Sequence, residues 1–564
     1  MRENEGGNKQ QWSREEIARK LDEYGKASAS KSQRQLAEEL EIPRSTLQHW
    51  LKRKESIDVD PEVVSFFESP AGVAFLHRLV LGAHFVMTLA GPCGIRLVCL
   101  FLELTGLDQF VAASYSPQQR VSVVMEKAVI EFDQEEKKRL SEEMEPKQIT
   151  VCEDETFHPE VCLVAIEPVS NFILLEKYVD NRKAETWTAT MGQAMESLPV
   201  EIVQSTSDEG KGILHHVKED LGVHHSPDLF HPQHDLVKGS SMALASRKRK
   251  AEKAVSETSE ELTRHQEEKE TYWSGQRSPG RPPDFDKRIE ETQEKVDEAI
   301  EALETSETHQ ERARQAIQDI SAAYHPYDLE SGTARNAEEV ASKLEECFVE
   351  IEEVAFDAKL PEYCLKKIKK AKRVVVDMVA TIAFFFLTIT AKVNALSLAP
   401  HVEQVVYDNL IPGIYLHLVS EKSNSTQERH ELQRQSEELL NPLRARDGPL
   451  SGLEEEERLV IERVAKECAQ LFQRSSSCVE GRNGQLALRH HSLHRIGDRK
   501  LGALTAVHNY FVERSDGSTA AERFFGAKPR DLFEWLLERV DLPGRPAKKR
   551  SQPKQKEYLT LAAA

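Results

Sequence analysis

The sequence predicts a mixed but mostly α-helical protein, in which a small α/β core is interrupted by a large all-helical insertion. Three observations predict this architecture. Residues 146–240 show strand periodicity, residues 241–450 show helical periodicity without strands, and residues 451–540 contain a polar helix that can rejoin the core. A chain of 564 residues is also too long for one ordinary hydrophobic core.

The composition is that of a soluble protein with much exposed helix, because 39% of the residues are hydrophobic and 30% are charged. The net charge of −20 provides no global positive field, so any DNA binding must come from local basic patches. The eight cysteines include no C-x-x-C pair and indicate neither a zinc ribbon nor a disulfide framework. Reduced cysteines in a cytoplasmic protein are therefore expected.

Two apolar segments, Val73 to Leu104 and Val374 to Leu398, raise the question of a membrane span. Charged residues, histidines or proline interrupt both segments, whereas a spanning helix needs about 20 nearly uninterrupted apolar residues. We therefore predict buried core helices and no membrane partner. The polar N-terminus also shows no signal peptide.

Residues 1–56 have the pattern of a helix-turn-helix DNA-binding domain. A helix is expected over Trp12 to Tyr24, and Leu36, Ala37 and Leu40 mark the apolar face of a second helix. Ile42-Pro43 forms the turn, and Ser45 is expected to cap the third helix. The alternative is an ordinary helical hairpin. If this third helix enters the major groove, its candidate base-reading residues are Arg44, Ser45, Thr46, Gln48 and His49, with Lys52 and Arg53 near phosphates.

After a helical segment over residues 57–145, four strands are predicted in the first part of the core. They cover Ile149 to Cys152, Val161 to Ile166, Phe172 to Leu175 and Val200 to Gln204, with a helix over Lys183 to Ser197 before the fourth. The helical crossover makes the fourth strand parallel to the first. If these two strands are neighbours, Asp154 and Asp208 come to the same edge of the sheet.

A third carboxylate is predicted on a helix after the insertion. Ser475 to Ser477 can cap this helix, and Glu480 and Asn483 then share one of its faces. Three carboxylates that converge on one cleft can hold two divalent ions about 4 Å apart, as in phosphoryl transfer enzymes. Aspartate and glutamate suit Mg²⁺, which prefers oxygen ligands. Residues 541–564 end the chain as an expected disordered basic tail, which could contact phosphates or simply be solvated.

The order of helix-turn-helix, ITVCEDETF, STSDEGKG, helical insertion and SSSCVEGRNG resembles bacterial DDE-type insertion-sequence transposases with a ribonuclease H-like core. The resemblance covers most of the chain. It implies that Asp154, Asp208 and Glu480 are the catalytic and metal-binding triad, with two Mg²⁺ or Mn²⁺ ions. It further implies supporting roles for Asp228 and His231, in a D-x-x-H signature, and for Asn483. The implied partner is double-stranded DNA, at element ends and target, bound by a homo-oligomer at the nucleoid.

Several alternatives remain open from the sequence. Glu155 and Glu209 directly follow the two aspartates, so either ligand position could shift by one residue. The dense histidines at His215, His216, His224, His225, His231 and His234 make a zinc site conceivable. The chain could also be a non-catalytic helix-turn-helix DNA-binding protein, an inactive transposase remnant, or a metal-dependent nuclease without strand transfer.

Overall fold

The computed structural model describes residues 12–157, 160–275, 281–445, 447–493 and 495–546. Within these ranges the protein is mostly helical, with one small mixed sheet of five strands. The first helices are α1 (Arg14–Ala27), α2 (Gln33–Glu39) and α3 (Arg44–Glu55). Capping boxes at Ser13 and Ser32 begin α1 and α2. The prediction that Ser45 caps α3 is wrong. Pro43 takes the extended capping position, and Ser45 already lies inside the helix.

The next four helices are α4 (Pro61–Phe67), α5 (Pro70–His84), α6 (Ile95–Leu104) and α7 (Tyr115–Glu143). Two helical stretches of the chain, Pro70–Ala90 and Glu362–Asn394, are long and apolar enough to cross a membrane by length and composition alone. Both bury apolar residues against other helices of the protein, such as Leu76 and Phe385. They therefore give no clear signal of a membrane span.

The sheet is built by the region where strands were predicted. Its elements are β1 (Lys147–Phe157), β2 (Val161–Glu167), β3 (Phe172–Val179), α8 (Ala184–Met195), β4 (Val200–Ser207), α9 (Lys211–His215), β5 (His224–Pro227) and α10 (Phe230–Leu236). The strand order is β3-β2-β1-β4-β5. Strands β1, β2 and β3 form an antiparallel meander, whereas β4 runs parallel to β1 and β5 runs parallel to β4.

Strand β1 is longer than its apolar run predicts. Its pairing with β4 stops at Glu153 opposite Ser207, but its pairing with β2 continues to Phe157 opposite Val161. Asp154 therefore lies within the strand, at the first position beyond the edge that β1 shares with β4. Strand β5 was not predicted, because its sequence, HHSP, has no apolar alternation.

The insertion packs around a large apolar core of its own. Its helices are α11 (Met242–Ser274), α12 (Phe285–Ala323), α13 (Ala337–Asp357), α14 (Glu362–Lys372), α15 (Val375–Asn394), α16 (Pro400–Val405), α17 (Ile411–Lys422) and α18 (Thr426–Arg444). Helix α19 (Glu455–Leu471) shares this core through Ile461 and Cys468, although the predicted domain boundary at residues 450–451 precedes it.

The chain then returns to the sheet with α20 (Ser477–Leu493), α21 (Asp498–Tyr510), α22 (Ala520–Phe525) and α23 (Leu532–Arg539). Helices α7, α20 and α21 cover one face of the sheet, and α8 and α9 cover the other. The predicted disordered tail is wrong for residues 541–546, because Gly544 and Pro546 accept hydrogen bonds from Ala112 and Arg53 and Arg545 pairs with Glu68. Residues 547–564 lie outside the described part of the chain.

Candidate carboxylate site

Three acidic residues lie at the edge where β4 and β5 end and where the pairing of β1 with β4 stops. Asp154 follows the residue of β1 that pairs with Ser207, Asp208 directly follows β4, and Asp228 directly follows β5. The parallel direction of these strands brings the three positions to one edge, as the spacing of Asp154 and Asp208 predicted. The carboxylate of Asp208 accepts a hydrogen bond from the backbone N–H of Gly210 at 3.0 Å, which shapes the turn after β4.

Helix α20 brings Glu480 and Asn483 close to Asp154 at this edge of the sheet. The side-chain amide of Asn483 donates a hydrogen bond to Asp154 Oδ2 at 2.8 Å. The backbone N–H of Glu155 donates to the other oxygen, Oδ1, at 2.8 Å. Glu480 lies one turn before Asn483, so its carboxylate is close enough for its charge to raise the pKa of Asp154.

A buried ion pair fixes α20 against the sheet. The guanidinium of Arg482 donates to both oxygens of Glu176 on β3, at 2.7 and 2.6 Å. Both side chains are almost completely buried, and the hydroxyl of Thr505 also donates to Glu176. This two-bond geometry sets the rotation of α20, and with it the positions of Glu480 and Asn483. No local pattern in the sequence indicates this pair, because the two residues are 306 positions apart.

The site carries excess negative charge. The pKa of Asp154 is raised to about 7, chiefly by burial. The hydrogen bond from the Glu155 N–H opposes this rise, the charges of Glu480 and Asp208 add to it, and the charge of His231 opposes it. Among the described residues, no lysine or arginine forms an ion pair with Asp154, Asp208 or Glu480. Neighbouring carboxylates without basic partners are typical of a site that binds a cation.

Asp228 has a different environment from the other two aspartates. Burial raises its pKa, but hydrogen bonds from His231 at 2.8 Å and from the N–H groups of Ser476 and Phe230 outweigh burial and lower the pKa below its ordinary value. The hydrogen bond that His231 donates to Asp228 is in turn the largest of the effects that raise the pKa of His231. Asp228 therefore ties β5 and α10 to the start of α20, and no local pattern in the sequence indicates its contact with Ser476.

The two neighbouring glutamates, Glu155 and Glu209, lie in environments that differ from those of Asp154 and Asp208. Glu155 points to the opposite face of β1, where Arg182 and the indole N–H of Trp187 donate to its carboxylate at 3.0 and 3.2 Å. Burial and Asp377 raise the pKa of Glu209, and Lys370 and Lys218 offset part of that rise. Glu209 therefore faces the helical insertion, and the geometry favours Asp154 and Asp208.

The candidate site offers hard oxygen donors. Within the described ranges, no three Asp, Glu, His or Cys side chains approach one another as closely as the ligands of one metal ion do, and this includes Asp154, Asp208 and Glu480. Carboxylates alone fit Mg²⁺ or Mn²⁺ better than zinc.

The histidines that suggested zinc serve several separate roles. Burial lowers the pKa of His224 and of His225 to about 4, so both rings are neutral. His224 stacks on Phe384 of the insertion, and His225 lies 3.0 Å from the hydroxyl of Ser207. His216 is buried beneath the sheet beside Glu153, a buried acid that accepts a hydrogen bond from Ser205 and that the sequence did not single out.

The predicted DNA-reading residues lie along α3. Arg44, Ser45, Gln48, His49 and Lys52 are exposed, and Thr46 is half-buried. Gln48 donates a hydrogen bond to Gln33 of α2 at 3.2 Å. Arg53 differs from the expectation, because its guanidinium donates to the carbonyl of Pro546 at 2.8 Å within the protein.

Residues 406–552 match a family described as a family of unknown function, DUF6399. The match covers less than half of the chain but includes α20, and thus Glu480, Asn483 and the Arg482 that anchors them. No curated protein and no solved structure matches the chain.

Proposed function

We propose that this chain is a DNA transposase of the DDE type, which cleaves DNA and transfers strands at the ends of an insertion sequence. The observation that carries the proposal is the group of three carboxylates Asp154, Asp208 and Glu480. Asp154 lies on β1 just beyond its pairing with β4, Asp208 follows β4, and the charges of Asp208 and of Glu480 on α20 both act on Asp154. No lysine or arginine of the described chain forms an ion pair with any of the three.

The order of elements supports a ribonuclease H-like core. An antiparallel meander of β1, β2 and β3 is followed by a helix and then by β4 and β5, both parallel to β1. The large helical insertion lies between Asp208 and Glu480, as in the transposases that the sequence resembles. In this proposal α2 and α3 form the helix-turn-helix, and Arg44, Ser45, Thr46, Gln48, His49 and Lys52 face the DNA.

Asp154, Asp208 and Glu480 would hold two Mg²⁺ or Mn²⁺ ions. When bound, these ions would activate the attacking oxygen and stabilise the leaving oxygen of a phosphodiester. The protein's own residues prepare the site. Asn483 and the N–H of Glu155 fix both oxygens of Asp154, and Arg482 fixes the helix that carries Glu480.

The protonation state of the site follows from the same contacts. Asp154, with a pKa of about 7 in the metal-free protein, must lose its proton before it can bind a cation. The hydrogen bond to Asp228 raises the pKa of His231, which favours a positively charged ring that would pair with a DNA phosphate. We further propose that the protein acts at the nucleoid as a homo-oligomer, since two DNA ends must be joined.

The test is metal-dependent cleavage of DNA that carries the ends of the element. The wild type is compared with Asp154→Ala, Asp208→Ala and Glu480→Ala, with Mg²⁺, Mn²⁺ and without metal. We expect the wild type to cut and each variant to bind the ends without cutting. If Glu480→Ala still cuts, the third ligand is another residue. If the wild type binds the ends but does not cut them with either metal ion, the protein is a non-catalytic DNA-binding protein or an inactive remnant.

A further inference from the structure

The helical insertion carries a basic surface in an otherwise acidic protein. Residues 362–373, which span α14 and end at Arg373, contain six basic residues and one acidic residue. Residues 238–253, which include the start of α11, also contain six basic residues and one acidic residue. By contrast, α12 has eleven acidic and five basic residues, and α13 has eight acidic residues and one lysine. Within the insertion, positive charge is therefore concentrated on α14 and on the start of α11, in a chain whose net charge is −20.

The two basic helices form one surface. Helix α14 packs closely on the π-helical segment Val237–Ser241, where a Cβ added at Gly239 would lie 3.1 Å from Lys367 and 3.2 Å from the carbonyl of Cys364. This segment continues directly into α11. Arg247 of α11 donates a hydrogen bond to the carbonyl of Lys359, just before α14, at 2.7 Å. We call the exposed side chains of Arg249, Lys250, Lys366, Lys369 and Arg373 the basic surface.

The charges of the basic surface are mostly free. Among the described residues, Arg249, Lys250, Lys369 and Arg373 form no ion pair, and Lys366 pairs only with Glu362 one turn away on the same helix. Lys366, Lys369 and Arg373 follow one another at spacings of three and four residues, so they share one face of α14. Free charges on one face suit a polyanion better than a structural role inside the protein.

The helix that carries most of the basic surface is joined to the neighbourhood of the carboxylate site, Asp154, Asp208 and Glu480. Lys367 and Lys370 of α14 pair with Asp235 of α10, at 3.2 and 2.8 Å, and α10 also carries His231. Helix α14 thus extends from α10, which carries His231, towards α11.

We propose that the basic surface binds the phosphate backbone of the double-stranded DNA that leads to or from the carboxylate site. This inference rests on the proposed function, and it gives the insertion a role in binding substrate. Helix α14 is roughly 16 Å long at 1.5 Å per residue. A duplex presents about nine phosphates over that length, at one charge per 1.7 Å, which is more than enough for the lysines and arginines available.

The test measures DNA affinity as a function of salt with the full chain in EDTA, where no cleavage occurs. The triple variant Lys366→Gln, Lys369→Gln, Arg373→Gln is compared with Lys295→Gln, Lys343→Gln, in which two exposed lysines of the acidic helices α12 and α13 are changed. The affinity falls as salt rises, and each lost phosphate contact makes the plot of log affinity against log salt less steep by about 0.9. We expect the steepness to decrease by about 2 to 3 for the triple variant and to stay unchanged for the control.

A second measurement does not depend on substitutions. Lysine acetylation of the wild type, read by mass spectrometry, should be slowed by bound duplex at Lys366 and Lys369 and not at Lys295 or Lys343. The inference is overturned if the triple variant binds like the wild type and these lysines stay reactive. It is also overturned if the triple variant changes only self-association, since the partner would then be the acidic helices of a second copy.

The two proposals can fail separately. A chain that cuts DNA with unchanged salt dependence in the triple variant keeps the proposed function and loses the basic surface as a DNA site. A chain that never cuts, but whose DNA binding depends on Lys366, Lys369 and Arg373, keeps the DNA site and loses the catalytic proposal.

Discussion

Three consecutive acidic residues of β1 lie in two contrasting environments, because side chains alternate between the faces of a strand. Glu153 and Glu155 point towards α8 and α9, where Ser205 donates to Glu153, and Arg182 and Trp187 donate to Glu155. Asp154 points towards α20, where its neighbours include Glu480 and Asp208, and burial raises its pKa to about 7.

The contrast separates structural acids from acids that have a chemical use. Arg182 neutralises Glu155, whereas Asp154 lies among other acids, which makes the folded state less stable at neutral pH. Such a cost is typical of a functional site. The same contrast appears on α20, where Arg482 is fully paired with Glu176, but Glu480 has no basic partner in the described chain.

The largest expected effect separates Asp154 from Glu155. Asp154→Asn should lower metal-dependent DNA cleavage by at least about 10³-fold, the scale on which loss of one member of a catalytic group acts. Glu155→Gln should change cleavage by no more than a few-fold, because Glu155 lies on the other face of β1. Cleavage of labelled element-end DNA measures both. Equal losses in the two variants would contradict the assignment of the two faces.

The next effect compares two ion pairs of the sheet. Arg482→Ala should destabilise the protein by about 3–5 kcal/mol, because it leaves the carboxylate of Glu176 buried without its partner. Arg182→Ala should cost about 1 kcal/mol or less, because the side chain of Arg182 is 64% exposed. The midpoints of urea unfolding measure the difference. Similar midpoints for the two variants would show that Arg482 does not anchor α20.

A third prediction concerns the metal-free stability of the site. The pKa of Asp154 rises from 3.8 to about 7 on folding, so its stabilising contribution is fully present below about pH 4 and is lost as the pH rises through 7. Asp154→Asn should therefore stabilise the metal-free protein at pH 8 but not at pH 4. The gain is at most about 4 kcal/mol, less about 1 kcal/mol for the hydrogen bond that asparagine cannot accept.

Thermal unfolding at the two pH values in EDTA measures this gain. Glu155→Gln is the control, and it should show no gain at pH 8, because it loses the bond to Arg182. Added Mg²⁺ should raise the melting temperature of the wild type at pH 8 and should have a smaller effect on Asp154→Asn. A melting temperature of Asp154→Asn below that of the wild type at pH 8 would show that Asp154 is not under electrostatic strain.

The sequence was sufficient for the parts of the site that depend on strand and helix periodicity. The crossover helix between β3 and β4 fixed the parallel direction of β1 and β4, and so placed Asp154 beside Asp208. The spacing of three residues on α20 placed Glu480 and Asn483 together. Both patterns are local consequences of backbone geometry.

Contacts between distant parts of the chain could not be read in the same way. The pairing of Arg482 with Glu176 and of Ser476 with Asp228 joins residues about 250 to 300 positions apart, and no local periodicity reports such pairs. Strand β5 forms because β4 offers a free edge, although His224 and His225 have little strand character of their own. Residues 541–546 were called disordered for their composition, yet Arg545 finds the buried carboxylate of Glu68.

The smallest expected effect tests whether the alignment of Asp154, and not only its charge, matters. Asn483→Ala removes the hydrogen bond to Asp154 Oδ2 but leaves all three carboxylates in place. Residues that orient a metal ligand typically contribute 10- to 100-fold to metal affinity or activity, so a loss of about that size is expected in Mg²⁺-dependent cleavage. The exposed Gln485 on the same helix provides the control, and Gln485→Ala should leave cleavage unchanged. Since a loss of alignment weakens metal binding more than it changes the chemistry, higher Mg²⁺ should restore much of the activity of Asn483→Ala but none of that of Asp154→Asn.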